Sequence, residues 1–485
     1  MATKIKPKAK SQTAIPATAF AEAFTAFVDQ MREQAPDPQS VFQKAFQKHF
    51  KTKKLDELPV LDENFTPADH PNLHLAIEAY MAAEGRKSEL LGATLPRYSE
   101  VSLSALLSPN AHNEGYRSGP VQYKNIDLQN DTQLACVEVG IYLVSLDAVH
   151  SATRLAVLVY TSRDHWSPGV RIEVMAQSKE IADAFFKHIR MHMRKHNVYR
   201  GKIISLDQSN NGQLDVKFHY LPKIGRDEII LPQGLIERIE RQTIGFSRHI
   251  EALRAAGRHL KRGMLLFGPP GTGKTLTAMY LASQMPERTV IVITGRGAGL
   301  VAQSCKLARL LQPATIVLED VDLIALERTN EHSCTVLLFE LLNQMDGLEE
   351  DADILFVLTT NRADMLEPAL AARPGRVDLA LEVPLPDAGC RRRLLALYGK
   401  GVQLQLNDPE SIVRKTAGAS ASFMKELLRK AVLYSADGNS ADANAALTNG
   451  KDELVVTDQH IEEALVELTF AGGELTKRLL GAALT

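Results

Sequence analysis

Residues 268–275 read Gly-Pro-Pro-Gly-Thr-Gly-Lys-Thr and fill the pattern G-x-x-x-x-G-K-[ST]. The residue types suit the handling of phosphate. Gly268, Gly271 and Gly273 admit positive φ and let backbone N–H groups close on phosphate oxygens. Lys274 can reach β- and γ-phosphates, and the Thr275 hydroxyl can ligate Mg²⁺. Pro269, Pro270 and Thr272 complete the loop, and Leu276 continues the helix whose N-terminal partial charge favours an anion. The expected phosphate contacts run from Gly268 through Leu276. A second set of polar groups ends two apolar runs. Thr315–Leu318 is followed by Glu319-Asp320-Val321-Asp322, and Ile354–Thr360 is followed by Asn361. Two carboxylates beside a phosphate loop can divide the work: one holds Mg²⁺ through water, the other polarises an attacking water. The Asn361 amide can orient that water or touch the γ-phosphate. The competing structural readings are a Gly/Pro-rich loop with an incidental lysine and ordinary strand-end acids.

These groups need a parallel sheet to bring them together. Met264–Phe267, Thr289–Ile293, Thr315–Leu318 and Ile354–Asn361 are short apolar runs that read as buried strands. Leu276–Ala282 reads as a helix, so the loop lies between a strand and a helix N-terminus, the context the motif requires. The fold class expected here is α/β, a parallel sheet with flanking helices.

With LLNQMDGL at Leu341–Leu348, TTNRADMLEPAL at Thr359–Leu370 and RPGRVD at residues 373–378, these motifs resemble the AAA-family ATPase module. The resemblance covers residues 230–470, roughly half the chain. It implies a P-loop AAA domain (226–386) with a helical lid (387–485), ATP and Mg²⁺ as ligands, and hydrolysis of ATP to ADP and phosphate. It makes Asn361 the sensor-1 residue. It makes Arg373 and Arg376 arginine fingers that act on ATP held by a neighbouring subunit, which implies a homo-oligomeric ring, usually a hexamer. The implied catalytic set is Lys274, Glu319, Asp320, Asn361, Arg373 and Arg376, with Thr275 and Glu319 toward the metal. Without the resemblance, the two arginines are loop charges.

Three features depart from the family pattern. The family usually carries Asp-Glu where this chain has Glu319-Asp320. The swapped order is similar to the AAA ATPases of mitochondrial respiratory-complex assembly, whose N-terminal membrane helix is not found here. By register Glu319 takes the magnesium role and Asp320 the catalytic one. The loop after the second strand, Gly295-Arg296-Gly297-Ala298-Gly299-Leu300, lacks the aromatic residue that threading unfoldases carry. Gly418-Ala419-Ser420-Ala421-Ser422 matches the adenine-side G-x-S-G-A only in part.

Upstream, residues 1–16 are Lys-, Ala- and Pro-rich and are expected to be a disordered tail. Residues 17–95 are expected to be a helical segment, with one helix carrying Phe20, Phe24, Phe27 and Met31 and a second carrying Phe42, Phe46 and Phe50. Such stripes ordinarily bury against their own domain, although they could dock a partner. Residues 96–225 are expected to be an α+β domain, with strands near 134–144, 155–160, 170–174, 201–206 and 214–220 and a helix near 179–195. Asp227–Leu260 is expected to be a helical connector, and Asp437–Asp452 a polar insertion.

At 485 residues the chain has room for about three domains, and an apolar fraction of 45% allows a sizeable core. A net charge of −2 predicts no general attraction to nucleic acid or membrane. A basic cluster from Lys187 to Lys202 leaves a local phosphate contact open, beside the plainer reading of a solvated helix face. Cys136, Cys305, Cys334 and Cys390 are scattered without a C-x-x-C pair, which argues against a zinc site and for a reducing, cytoplasmic setting. No apolar run approaches the ~18 residues of a membrane span. H-E-x-x-H does not occur, so a fused metalloprotease is not expected. The main expectation is an ATP-hydrolysing ring that remodels a protein client chosen by residues 1–225. A nucleotide-gated switch with weak hydrolysis and a nucleic-acid remodelling ATPase are the alternatives.

Overall fold

The computed structural model describes residues 17–34, 41–94, 101–108, 111, 116–129, 132–147, 152–162, 169–208, 214–220, 223–294, 300–322, 343–344, 352–364, 377–438 and 454–471. The chain divides into two compact units. One comprises residues 1–65, 78–124 and 137–187, and the other comprises 66–77, 125–136 and 188–485.

The second unit is built on four strands of near-continuous apolar sequence: Arg262–Phe267, Thr289–Ile293, Ala314–Leu318 and Ile354–Thr360. All residues of the last three strands are buried, as a parallel sheet covered on both faces demands. Successive side chains alternate between two cores. Leu265, Ile291, Ile316 and Phe356 join one; Met264, Leu266, Val317 and Val357 join the other. The strand order is Leu379–Glu382, Arg262–Phe267, Ile354–Thr360, Ala314–Leu318, Thr289–Ile293, Ile203–Gln208, Leu214–Phe218. The first six run parallel and the last is antiparallel to its neighbour. The strand entering the phosphate loop therefore lies between two strands that come later in the chain. The crevice beyond such a crossover is where α/β sheets bind ligands.

Arg288 locks the opposite ends of these strands. Its guanidinium, 4% exposed, donates to Asp353 Oδ1 (2.6 Å), Ala314 O (2.6 Å), Asp353 O (3.2 Å) and Thr315 Oγ1 (3.1 Å).

The lid carries helices Ala388–Tyr398, Pro409–Lys415, Ala421–Gly438 and Asp458–Val466 around Phe423, Met424, Leu427 and Ile461. Asp387 and Asp408 cap the first two by accepting from the N–H of Cys390 (2.7 Å) and Ser411 (3.0 Å). The lid is not wholly helical: Gln403–Gln405 pairs in parallel with Val455–Thr457.

The first unit is an antiparallel sheet in the order Val60–Phe65, Val170–Ala176, Ala152–Thr161, Gln133–Asp147, Arg86–Thr94, Arg117–Gly119. Helix Val41–Phe50 lays Phe42, Phe46 and Phe50 on it, among Ile141, Leu158 and Met175.

Three expectations are corrected. Residues 17–95 are not all helical, because Val60–Phe65 and Arg86–Thr94 are strands. Both are half-exposed and carry charged residues, which short apolar-run counting passes over. The hairpin Ile203–Gln208/Leu214–Phe218 was expected within 96–225 and instead extends the ATPase sheet, with Ile203 and Ile204 paired to Val290 and Ile291. A strand's pattern does not name its sheet. The connector after Asp227 is helical as expected, in short consecutive pieces, Leu235–Glu240, Arg241–Gly245, Phe246–Arg248 and Ile250–Ala255. Helix Ala17–Gln34 forms, but Phe20, Phe24 and Phe27 are 62%, 56% and 57% exposed. Spacing alone does not separate a buried stripe from an open one. The expected tail (1–16), loop residues 295–299 and most of the polar insertion lie outside the described residues.

Candidate nucleotide site

Phe267, Leu318 and Thr360 end adjacent parallel strands, and the phosphate loop, the carboxylates and Asn361 follow directly from them. The loop needs glycine at two places. Gly268 has φ +144°, and a Cβ there would lie 2.3 Å from Val383 O. Gly271 has φ +72°, and a Cβ there would meet Ser420 Oγ at 2.8 Å and Ser422 Cβ at 2.9 Å. Helix Lys274–Ser283 opens from Gly273. The Thr272 hydroxyl ties the loop by donating to Pro269 O (2.9 Å). Lys274 is 5% exposed, and its ammonium donates to Gly268 O (2.9 Å) and Pro269 O (2.8 Å). Burial lowers its pKa, opposed by the charges of Asp320 and Asp322. Pro270, Thr275 and Leu276 are exposed at the loop and the first helical turn. The lid closes on the loop where Ser422 N–H donates to Gly271 O (3.0 Å).

Burial raises the Glu319 pKa, and the charge of Asp320 raises it further. Among the described residues, Glu319 Oε1 is buried without a hydrogen-bond partner. A buried carboxylate oxygen left unpaired fits a cation, so the donor set of Glu319 and Thr275 fits Mg²⁺. Asp320 sits at φ +45°, a left-handed conformation that aspartate tolerates better than longer side chains. Its N–H donates to Thr359 Oγ1 (3.0 Å), and its Oδ1 accepts from Asn361 Nδ2 (3.2 Å). Burial and then the Asp322 charge raise its pKa, against Lys274 and Asn361.

The structure thus gathers Gly268, Pro269, Pro270, Gly271, Thr272, Gly273, Lys274, Thr275, Leu276, Glu319, Asp320 and Asn361 at one edge of the sheet. Arg373 and Arg376 lie outside the described residues, as does most of Leu341–Leu348. The reading of the sequence passed over Thr359, Thr360, Asp322 and the Ser422 contact. For Thr359, Thr360 and Asp322 the signal was polar residues at or just past the ends of apolar strands.

A P-loop strand flanked as here, with a carboxylate pair on the third strand and an amide on the fourth, defines a P-loop ATPase domain of the α/β class. Residues 264–385 match the sequence profile of the ATPase family associated with various cellular activities (AAA). It is 29% identical over 304 residues to the proteasome-activating nucleotidase of Thermococcus onnurineus, covering 55% of this chain and 74% of that protein. It is 34% identical over 200 residues to the proteasome-activating nucleotidase of Pyrococcus horikoshii, covering 39% and 50%. It is 32% identical over 263 residues to the ATP-dependent zinc metalloprotease FtsH 3 of Sphaerobacter thermophilus, covering 51% of each. The last two matches thus span about half of each relative's length.

Proposed function

We propose that this protein hydrolyses ATP to ADP and phosphate as an oligomeric AAA ring and uses the cycle to remodel a protein client. The observation that carries the reading is the Asn361–Asp320 hydrogen bond at 3.2 Å, at the same sheet edge as the buried Lys274. In this reading Asp320 accepts the proton of the attacking water and Asn361 orients that carboxylate and the water. Lys274 and the loop N–H groups of Gly271–Thr275 stabilise phosphoryl charge. Thr275 and Glu319 would hold Mg²⁺, which would supply positive charge to offset that of the phosphates. Arg373 and Arg376 serve the site of the adjacent subunit, most simply in a hexamer. Residues 1–225 select the client, and the setting is cytoplasmic. Among the described residues no helix is long and apolar enough to cross a membrane.

The test is steady-state ATP turnover against protein concentration, with Lys274→Ala and Arg373→Ala in parallel. The reading expects specific activity to rise with concentration. Lys274→Ala should abolish turnover. Arg373→Ala should abolish it with ATP binding retained. Wild-type protein that binds ATP without turnover at any concentration favours a nucleotide-gated switch. The shorter catalytic carboxylate, Asp320, is the observation on that side.

A further inference from the structure

We infer that Asp322 is a positioning residue of this site: it fixes Asn361 so that the Asn361 amide meets Asp320. The inference rests on the hydrolytic reading above.

Asp322 is 3% exposed. Its Oδ1 accepts from the Thr360 hydroxyl (2.8 Å) and from the Asn361 backbone N–H (3.1 Å). Thr360 is fully buried, and its Oγ1 also accepts from Arg362 N–H (3.0 Å). The turn leaving this strand is therefore hung on one carboxylate oxygen. The neighbouring pair makes the reciprocal bond, Asp320 N–H to Thr359 Oγ1 at 3.0 Å. Two successive threonines ending one strand thus grip two aspartates that follow its neighbour, in crossed sense, and Asn361 bridges both aspartates.

The crossing matters because the Asp320 carboxylate is held from the side by the Asn361 amide, whose Nδ2 donates to Oδ1 at 3.2 Å. Its carboxylate is aimed by Asn361, and Asn361 is aimed by Asp322. The Asp322 Oδ1 accepts from two donors, the Thr360 hydroxyl and the Asn361 backbone N–H, and so holds the backbone from which the Asn361 amide projects. Groups that hold a reacting carboxylate at second hand change activity by about 10- to 100-fold when removed, with little change in ground-state binding.

The experiment uses the full chain. Steady-state kcat and KM for ATP and the equilibrium Kd for a fluorescent ATP analogue are measured for wild type, Asp322→Ala, Asn361→Ala and the double variant. The expected result is a kcat about 10- to 100-fold lower for Asp322→Ala with Kd within about threefold of wild type. On an Asn361→Ala background, Asp322→Ala should cost less than about a further threefold, because both act through one contact. Thr360→Val removes one donor to Asp322 at nearly constant shape. Its kcat should fall about three- to tenfold, and it carries the test if Asp322→Ala does not fold. An unchanged kcat in the variant that folds overturns the assignment. So does an Asp322→Ala loss that multiplies in full onto Asn361→Ala, or one in which kcat falls only in proportion to ATP binding. A wild-type protein without turnover overturns the hydrolytic reading itself, and is told apart because the loss then precedes any substitution.

Discussion

Replacing Gly271 with alanine separates two physical demands at the phosphate loop. At φ +72° a Cβ-bearing residue costs about 1–2 kcal/mol relative to glycine. The added Cβ would also lie 2.8 Å from Ser420 Oγ and 2.9 Å from both Ser422 Cβ and Oγ. The Ser420 hydroxyl is held in place as the acceptor of Phe423 N–H (3.1 Å), and Ser422 Cβ is tied to backbone whose N–H donates to Gly271 O. Overpacking of this kind costs about 1–3 kcal/mol. The sum, about 2–5 kcal/mol, is a large share of a typical stability of about 5–15 kcal/mol. Urea unfolding followed by circular dichroism should show the midpoint lowered by about 1–2 M for Gly271→Ala. Fluorescent ATP titration should show Kd raised at least about tenfold, since the loop N–H groups are turned off the phosphates. Gly271→Ala combined with Ser422→Gly, compared with Ser422→Gly alone, should recover the overlap share and leave the backbone share. An unchanged midpoint in Gly271→Ala would show that the loop is not held as described. A full recovery in the pair would show that the left-handed backbone carries no cost.

Arg288→Ala should destabilise the second unit by about 3–5 kcal/mol, because it strands the Asp353 carboxylate in the interior. Calorimetry would detect it, and an unshifted transition would sink the account of the lock. His49 is half-buried, and burial holds its pKa below the usual histidine value, against the bond between its Nε2 and Leu155 O. A depressed folded pKa means stability present at pH 7 and lost as pH falls through the ordinary histidine range. Between pH 7 and 5 the first unit should therefore lose stability in wild type and lose less in His49→Gln, read by amide hydrogen exchange within residues 41–65. Equal losses in the two proteins would assign the pH dependence elsewhere.

The ATPase half was legible because its signals are local. A glycine loop between an apolar strand and a helix, and acids closing another strand, carry their meaning within about ten residues. Asp322 stood in the quoted run Glu319-Asp320-Val321-Asp322, but its partners Thr360 and Asn361 are nearly forty residues away, and hydrogen bonds across strand ends leave no periodicity. The same limit explains the first unit. Phe42, Phe46 and Phe50 announced a buried helix face, whereas Val60–Phe65 alternates between exposed and half-buried positions and carries acids. It became a strand through pairing with Val170–Ala176, a neighbour about 110 residues downstream. The hairpin after Gly201 was recognised as two strands and assigned to the wrong sheet, because edge strands obtain their partners from tertiary structure.

That hairpin also sets an order of events on the ribosome. Ile203 pairs with Val290, a strand made 87 residues later. At about 5–20 residues per second, the hairpin waits roughly 4–17 s for its neighbour. A lone two-stranded hairpin is marginal in water, and Ile204, fully buried in the finished sheet, would meanwhile face solvent. The nascent chain thus offers an open strand edge until Thr289–Ile293 has been synthesised, before the strands that carry Glu319, Asp320 and Asn361 exist.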